Sequence, residues 1–420
     1  MNDTYTQDYK NYKVYTYPFV LILLYIFIEY GRPQGNFTPL RLIRPGMLLT
    51  VLIFLKLLTI RYKINFKDPL SKYYLILIFI MTIHIPIAKN NYFAYELWRS
   101  TVIYFIVYLG VINFVDTYHK MVVYIDVWVL INAFIAVIGI LHKGLVPGSG
   151  FMEDENDFSL VMNIAIPFAY FMLLESDSRV KKFLYFFAVL LFIAGSVVSL
   201  SRGGFIGLAV VLFYCWLKTP NKLFSTSVII VMVAVLILSA PKGYWAELQT
   251  ISGQNIQSGT GATRWYYWMS GWNMFLANPI IGVGQGNYPW EIETYGGEGY
   301  GGRLHGGRPA HSIYFTLLPE LGIIGTIIFI IMIIKILKLT KYATTLGKVY
   351  RTSTEENKLD QQKLYKLNKL KFIGYGFTGA LAGYLVTGIF LSVLYYPHFW
   401  ILSSLPVVLS YTASEIIAQN

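Results

Sequence analysis

Cysteine is almost missing from this chain. Cys215 stands alone among 420 residues, which excludes an intrachain disulfide and any cysteine-rich metal site. Charge is scarce as well. Only 13% of the residues are Asp, Glu, Lys or Arg, against about 25% in soluble domains, and that argues against a water-soluble protein. There is no HExxH motif, no carboxylate cluster and no Cys/His set with metal-ligand spacing, so no metal is expected. A Walker-type GxxxxGK[ST] and a dinucleotide fingerprint are also missing. The glycine-rich "GVGQG" at 282–286 lacks the strand before it and the helix after it that would make it a nucleotide loop. No cofactor is expected, and the energy for any reaction must arrive with the substrate.

Apolar residues make up 55% of the chain, and the mean hydropathy is +0.53. A helix needs roughly 20 apolar residues to cross the hydrocarbon. Twelve candidate spans fall near 14–30, 44–60, 73–88, 95–113, 121–141, 158–174, 181–198, 203–218, 224–241, 311–336, 372–391 and 395–413. The runs are continuously apolar rather than alternating, which speaks against a closed barrel. The expected fold is therefore all-α: one polytopic membrane domain over 1–420, with no internal repeat and no separate soluble domain. Residues 1–13 are polar, and no cleavable signal peptide is apparent after them.

A net charge of +12 raises the question of nucleic acid. The positive residues sit in short linkers between apolar runs, a pattern that fits membrane orientation and membrane lipids instead. The linker at 337–371 holds nine Lys/Arg against three Asp/Glu, which assigns it to the cytoplasm. Counting back puts both termini inside and the acidic "FMEDENDF" at 151–158 outside. The long segment 242–310, with 15 glycines, falls outside too. Connections longer than about 12–15 residues are often functional. Its middle, 272–284, is too short to span and reads as a surface helix or a cap over a cavity.

Three basic residues stand out on that outer side. Arg202 lies in "SLSRGGF", at the turn between two spans. Such an arginine either snorkels to headgroups or lines an anion site. Arg264 precedes an aromatic run in "SGTGATRWYYWMSGW". Its planar fork suits phosphate oxygens, while Trp265, Tyr266 and Tyr267 fit either sugar stacking or an interfacial belt. His311 opens "HSIYFTLLPELGIIG" and titrates near neutrality. Helical spacing would put His311, Tyr314 and Phe315 on one face. Glu320 lies roughly 13 Å further along such a helix, where it would pair with a cation from elsewhere, and Pro319 would kink the span.

The pieces "SRGGF" (201–205), "TRWYYWMSGWNMFLANPIIGVGQGNY" (263–288) and "AHSIYFTLLPELGIIG" (310–325), in that order, resemble the O-antigen ligase and polymerase superfamily over roughly 160–336. "FIEYGRPQG" at 27–35 also resembles the exosortase-associated O-glycosylation ligase branch. The resemblance implies a GT-C-like, metal-independent glycosyltransferase of the bacterial cytoplasmic membrane with its site on the outer face. Its donor would be an undecaprenyl-diphosphate-linked glycan. A ligase hands the glycan to lipid or protein, and a polymerase hands it to a carrier-linked repeat unit. The family's essential arginines correspond to Arg202 and Arg264, with Arg303 and Arg308 as further substrate-binding candidates in the same loop, and its histidine corresponds to His311. Relatives commonly follow that histidine with Asn, whereas Ser312 stands here. A transporter or a noncatalytic assembly scaffold is the rival class. Paired broken helices in inverted repeats would favour transport.

Overall fold

The computed structural model describes residues 14–59, 68–223, 226–227, 230, 260–297, 306–353 and 358–418, and among them no residue is in a strand. The helices are α1 (Tyr17–Gly31), α2 (Pro33–Asn36), α3 (Thr38–Ile43), α4 (Pro45–Leu58), α5 (Ser71–Ile87), α6 (Asn91–Phe114), α7 (Tyr118–Leu141) and α8 (Glu155–Glu175). They continue as α9 (Arg179–Val198), α10 (Arg202–Lys218), α11 (Thr260–Ala277), α12 (Tyr288–Tyr295), α13 (Tyr314–Ser353), α14 (Lys358–Thr387), α15 (Pro397–Leu402) and α16 (Ser404–Ala418). A 3₁₀ turn, Gly388–Phe390, follows α14. The protein is an all-α, polytopic membrane protein. Among the described residues seven helices are long and apolar enough to cross a membrane, with α15 and α16 together forming the last of them.

Local chemistry sets where these helices begin. Asn90, Thr117, Asp154, Ser178 and Ser201 each accept a hydrogen bond from a backbone N–H in the first turn of α6 to α10. Such a cap satisfies one of the donors that a helix start leaves open. Several expected spans shift once these ends are fixed. The second is only 14 residues long as α4, and most of 224–241 lies outside the described residues. The basic stretch 337–371 is no loose linker, because α13 runs on to Ser353 and α14 starts at Lys358. Lys- and Leu-rich sequence favours helix on both sides of a membrane boundary, so the apolar run ends before the helix does.

Helix α8 is the axis of the bundle, with 83% of its apolar window buried, and it packs on α9, α10 and α14. Burial against lipid does not itself drive helices together, so close backbone approach must. A Cβ added at Gly379 would sit 2.8 Å from Pro167 Cβ, and one at Gly383 would sit 3.1 Å from the Asn163 carbonyl oxygen. These α14 glycines let it lie directly against α8.

Helix α13 is broken near its start. Gly322 has φ +61°, a left-handed conformation open to glycine, and the break falls there rather than at Pro319. Segment 279–284 docks on the break. Val283 N–H donates to Pro319 O (2.9 Å), Gly284 N–H to Glu320 O (2.9 Å) and Ile323 N–H to Pro279 O (2.8 Å). Backbone groups freed at membrane depth are thus paired within the protein. Residues 272–284 do not form one surface helix. Helix α11 ends at Ala277, and the rest is this plug.

Candidate functional site

The plug holds the outer loop in place. Gln285 is fully buried; its amide donates to the carbonyls of Met81 and Ala94 (both 2.9 Å), and its oxygen lies 2.9 Å from His84 Nδ1. Asn287 ties the same loop to the Asn90 turn between α5 and α6. "GVGQG" is therefore a structural clamp. Glu320, 2% exposed, takes N–H donors from Gly286 (2.8 Å) and Tyr288 (3.0 Å) and the hydroxyl of Tyr395 (2.8 Å). Its partners are two backbone groups and a phenol rather than the cation expected from sequence.

Over this clamp sits a small second core in which Tyr267 and Met274 of α11 meet Tyr288 and Ile292 of α12, together with Ala310. Tyr288 Oη donates to Tyr267 O at 2.5 Å. Trp268 stacks on Phe315, with ring centroids 5.3 Å apart and planes 7° from parallel. Part of the aromatic run therefore turns inward and fixes α11 across the bundle. Trp265 points the other way and is 61% exposed.

Arg264, on the first turns of α11, places its guanidinium carbon 5.7 Å above the Phe390 ring. Phe390 also packs on the start of α10, where a Cβ added at Gly203 would fall 2.9 Å from Phe390 Cβ. Arg202 is the first residue of that helix. Burial, and after it the positive charge of Arg202, pull Arg264 below the ordinary arginine value, while Asp154 opposes them. An arginine so placed is still a cation.

His311 is not on a helix. It occupies a left-handed turn with φ +49°, three residues before α13 begins, so the shared helical face with Tyr314 and Phe315 does not form. Non-glycine residues pay strain in that region. The cross-link that enforces it is Ile313 N–H donating to Gly388 O at 2.8 Å, which turns the chain before α13 can wind. The His311 ring lies 5.8 Å from that of Tyr267. Tyr314 donates to Leu385 O at 3.0 Å. Burial first, and then Arg264, hold His311 below the usual histidine range; Asp154 works against them and Arg308 with them. The imidazole is therefore neutral near pH 7 and able to accept a proton.

Arg202, Arg264, Arg308 and His311 thus form one electrostatic neighbourhood, while Arg303 lies outside the described residues. Sequence reasoning does not single out Asp154, Phe390 or Asn156. Asp154 caps α8 through Asn156 N–H (2.8 Å), and Asn156 Oδ1 accepts from Ser201 Oγ at 2.7 Å. That chain of bonds ties the start of α8 to the turn that carries Arg202. A cap signal before an apolar run makes Asp154 findable. Phe390 gives no signal, being one aromatic among many. Among the described residues no three His, Cys, Asp or Glu side chains are grouped to hold a metal.

Residues 160–330 match the family described as O-antigen ligase. That stretch of the chain is similar to the O-antigen ligase family. The O-antigen ligase segment includes Arg202, Arg264, Arg308 and His311, whereas Asp154, Phe390 and Tyr395 lie outside it. No curated protein matches the chain.

Proposed function

We propose that the protein transfers a glycan from a polyprenyl (undecaprenyl) diphosphate carrier to an acceptor hydroxyl at the outer face of the cytoplasmic membrane, as an O-antigen or O-glycan ligase. The convergence of Arg264, Arg202 and His311, residues far apart in sequence, carries the reading. The match of residues 160–330 to the O-antigen ligase family supports the same chemical class.

In this mechanism Arg202 and Arg264 hold the diphosphate. His311 takes the proton from the acceptor hydroxyl, and that oxygen bonds to the anomeric carbon as the carbon–oxygen bond to the diphosphate breaks. The leaving diphosphate keeps the electron pair, and the two guanidiniums stabilise the charge that develops on it. Arg303 and Arg308 are assigned further contacts to the substrate. Trp265, Tyr266, Tyr267 and Tyr314 shape the sugar path, and Glu320 serves by holding the loop beneath it. No metal or cofactor is assigned a step. On this reading the protein is a GT-C-like membrane enzyme with about twelve spans. His311 precedes the start of α13, whose basic residues from Lys338 onward lie toward its other end, and this supports an outward-facing site in a bacterial inner membrane.

Purified protein given a polyprenyl-diphosphate-linked oligosaccharide and competing lipid, protein and carrier-linked acceptors tests this by mass spectrometry of the products. Glycan on lipid or protein supports the ligase, and an elongated carrier-linked chain would assign a polymerase instead. No glycan product with any acceptor refutes transfer.

A further inference from the structure

Between α14 and α15 the chain leaves the α-helical path over 388–396, and this stretch reaches α8, α10, α11 and α13. Toward α13, Gly388 O accepts from Ile313 N–H (2.8 Å), Ser392 Oγ lies 3.1 Å from Thr316 Oγ1, and Tyr395 donates to Glu320 (2.8 Å). Toward α8, Tyr396 Oη donates to Asp157 at 3.0 Å. Thr387, just before the break, lies 3.3 Å from Asn163 Nδ2, and Asn163 in turn donates to Gly204 O of α10 at 2.8 Å. Phe390 is where these contacts meet, with Gly203 of α10 against its Cβ and Arg264 of α11 over its ring. The 3₁₀ turn Gly388–Phe390 thereby puts a carbonyl toward the His311 turn and a ring toward Arg264 within three residues.

We infer that Phe390, outside the family-matched segment, is a positioning residue that fixes the Arg264 guanidinium beside Arg202 through its π face. This rests on the proposed glycan transfer. A desolvated guanidinium over an aromatic ring gains from the ring quadrupole, and an arginine fork that is already fixed loses less freedom when it binds a phosphate. The contact holds Arg264 against the repulsion of Arg202 before substrate arrives. An aliphatic side chain of similar size would fill the space and lose that hold.

The test compares wild type with Phe390→Tyr, which keeps the π face, and with Phe390→Met and Phe390→Leu, which do not, all as full chains in lipid nanodiscs. The first readout is independent of activity: the rate of phenylglyoxal adduct formation at Arg264, taken by peptide mass spectrometry relative to exposed Arg179 at the far end of the bundle. The second is glycan transfer from a polyprenyl-diphosphate-linked oligosaccharide. Expected is Arg264 labelling about fivefold faster in the Met and Leu variants, with transfer down about tenfold, the size of a partly desolvated cation–π contact; Phe390→Tyr stays within about twofold on both. Equal Arg264 labelling in all four proteins overturns the inference, as does full transfer by the Met or Leu variant. Should Phe390→Leu fail to fold, the Met and Tyr pair decides alone. If wild type transfers nothing while the labelling ratios hold, the proposed reaction has failed and the role of Phe390 in holding Arg264 has not.

Discussion

Where α8 turns into α9, Lys369 Nζ lies 3.0 Å from Asp177 and 3.8 Å from Glu175, and Lys181 lies 2.7 Å from Asp126. Tyr118, Tyr185 and Tyr365 donate to the same three carboxylates. At the other end of α8 and α9, Arg264 instead has Arg202 for a neighbour, and His311 has Arg264 and Arg308, with Asp154 as a carboxylate counterweight. The first end is built as paired charges, which is how a protein offsets the cost of removing ions from water. The second gathers basic side chains beside one another where they are partly buried. Such an arrangement raises the free energy of the empty protein and is offset when an anion binds. Lys369 and Lys181 thus each face a carboxylate, whereas Arg264 and His311 have mostly basic groups near them, and on the proposed reading that second neighbourhood is where the donor binds.

The comparison breaks most readily at Arg264. Arg264→Ala at equal membrane abundance should cut glycan transfer about a thousandfold, as loss of a preorganised charge stabiliser does, with the folded protein as stable as before. Activity near wild type would end the claim that this end binds the donor. Lys369→Met should do the reverse. It leaves Glu175 buried without its cation and should cost roughly 3 kcal/mol of stability, while transfer per folded molecule is unchanged; thermal unfolding in detergent alongside the transfer assay reads both. A smaller effect is expected from Glu320→Gln. The amide turns one acceptor of the clamp into a donor facing an N–H, at about 2 kcal/mol, and proteolysis within 282–288 should become faster.

Much of this is legible in the sequence. The apolar runs locate the helices because the membrane demands length and leaves little choice of structure. Arg202, Arg264 and His311 stand out as basic residues in polar, glycine-bearing turns beside apolar runs. Other features do not show. A helix is expected at His311 because nothing local reveals that Ile313 spends its N–H on Gly388. The role of Glu320 depends on two N–H groups more than thirty residues earlier in the chain. Phe390 matters only through what lies above and below its ring. Periodicity reports a residue's neighbours along the chain, and these three act through neighbours across it.

The finest test concerns the proton. His311 lies below the ordinary histidine value through burial, then Arg264, with Arg308 adding to the effect. A positive neighbour disfavours the imidazolium, so removing Arg308 relieves the repulsion and raises the His311 pKa. If His311 accepts the acceptor's proton, transfer falls as pH drops through that pKa, because the protonated ring has no lone pair to offer. Arg308→Ala should therefore move the acidic limb of the pH–rate profile to higher pH, on top of a pH-independent fall in rate from its lost substrate contact, whereas Lys181→Ala at the paired end should not move it. An acidic limb unmoved by Arg308→Ala would mean that the group titrating in catalysis is not His311, or that Arg308 is too well screened to reach it; the profile of His311→Gln separates the two, since the limb vanishes only if the histidine is the base.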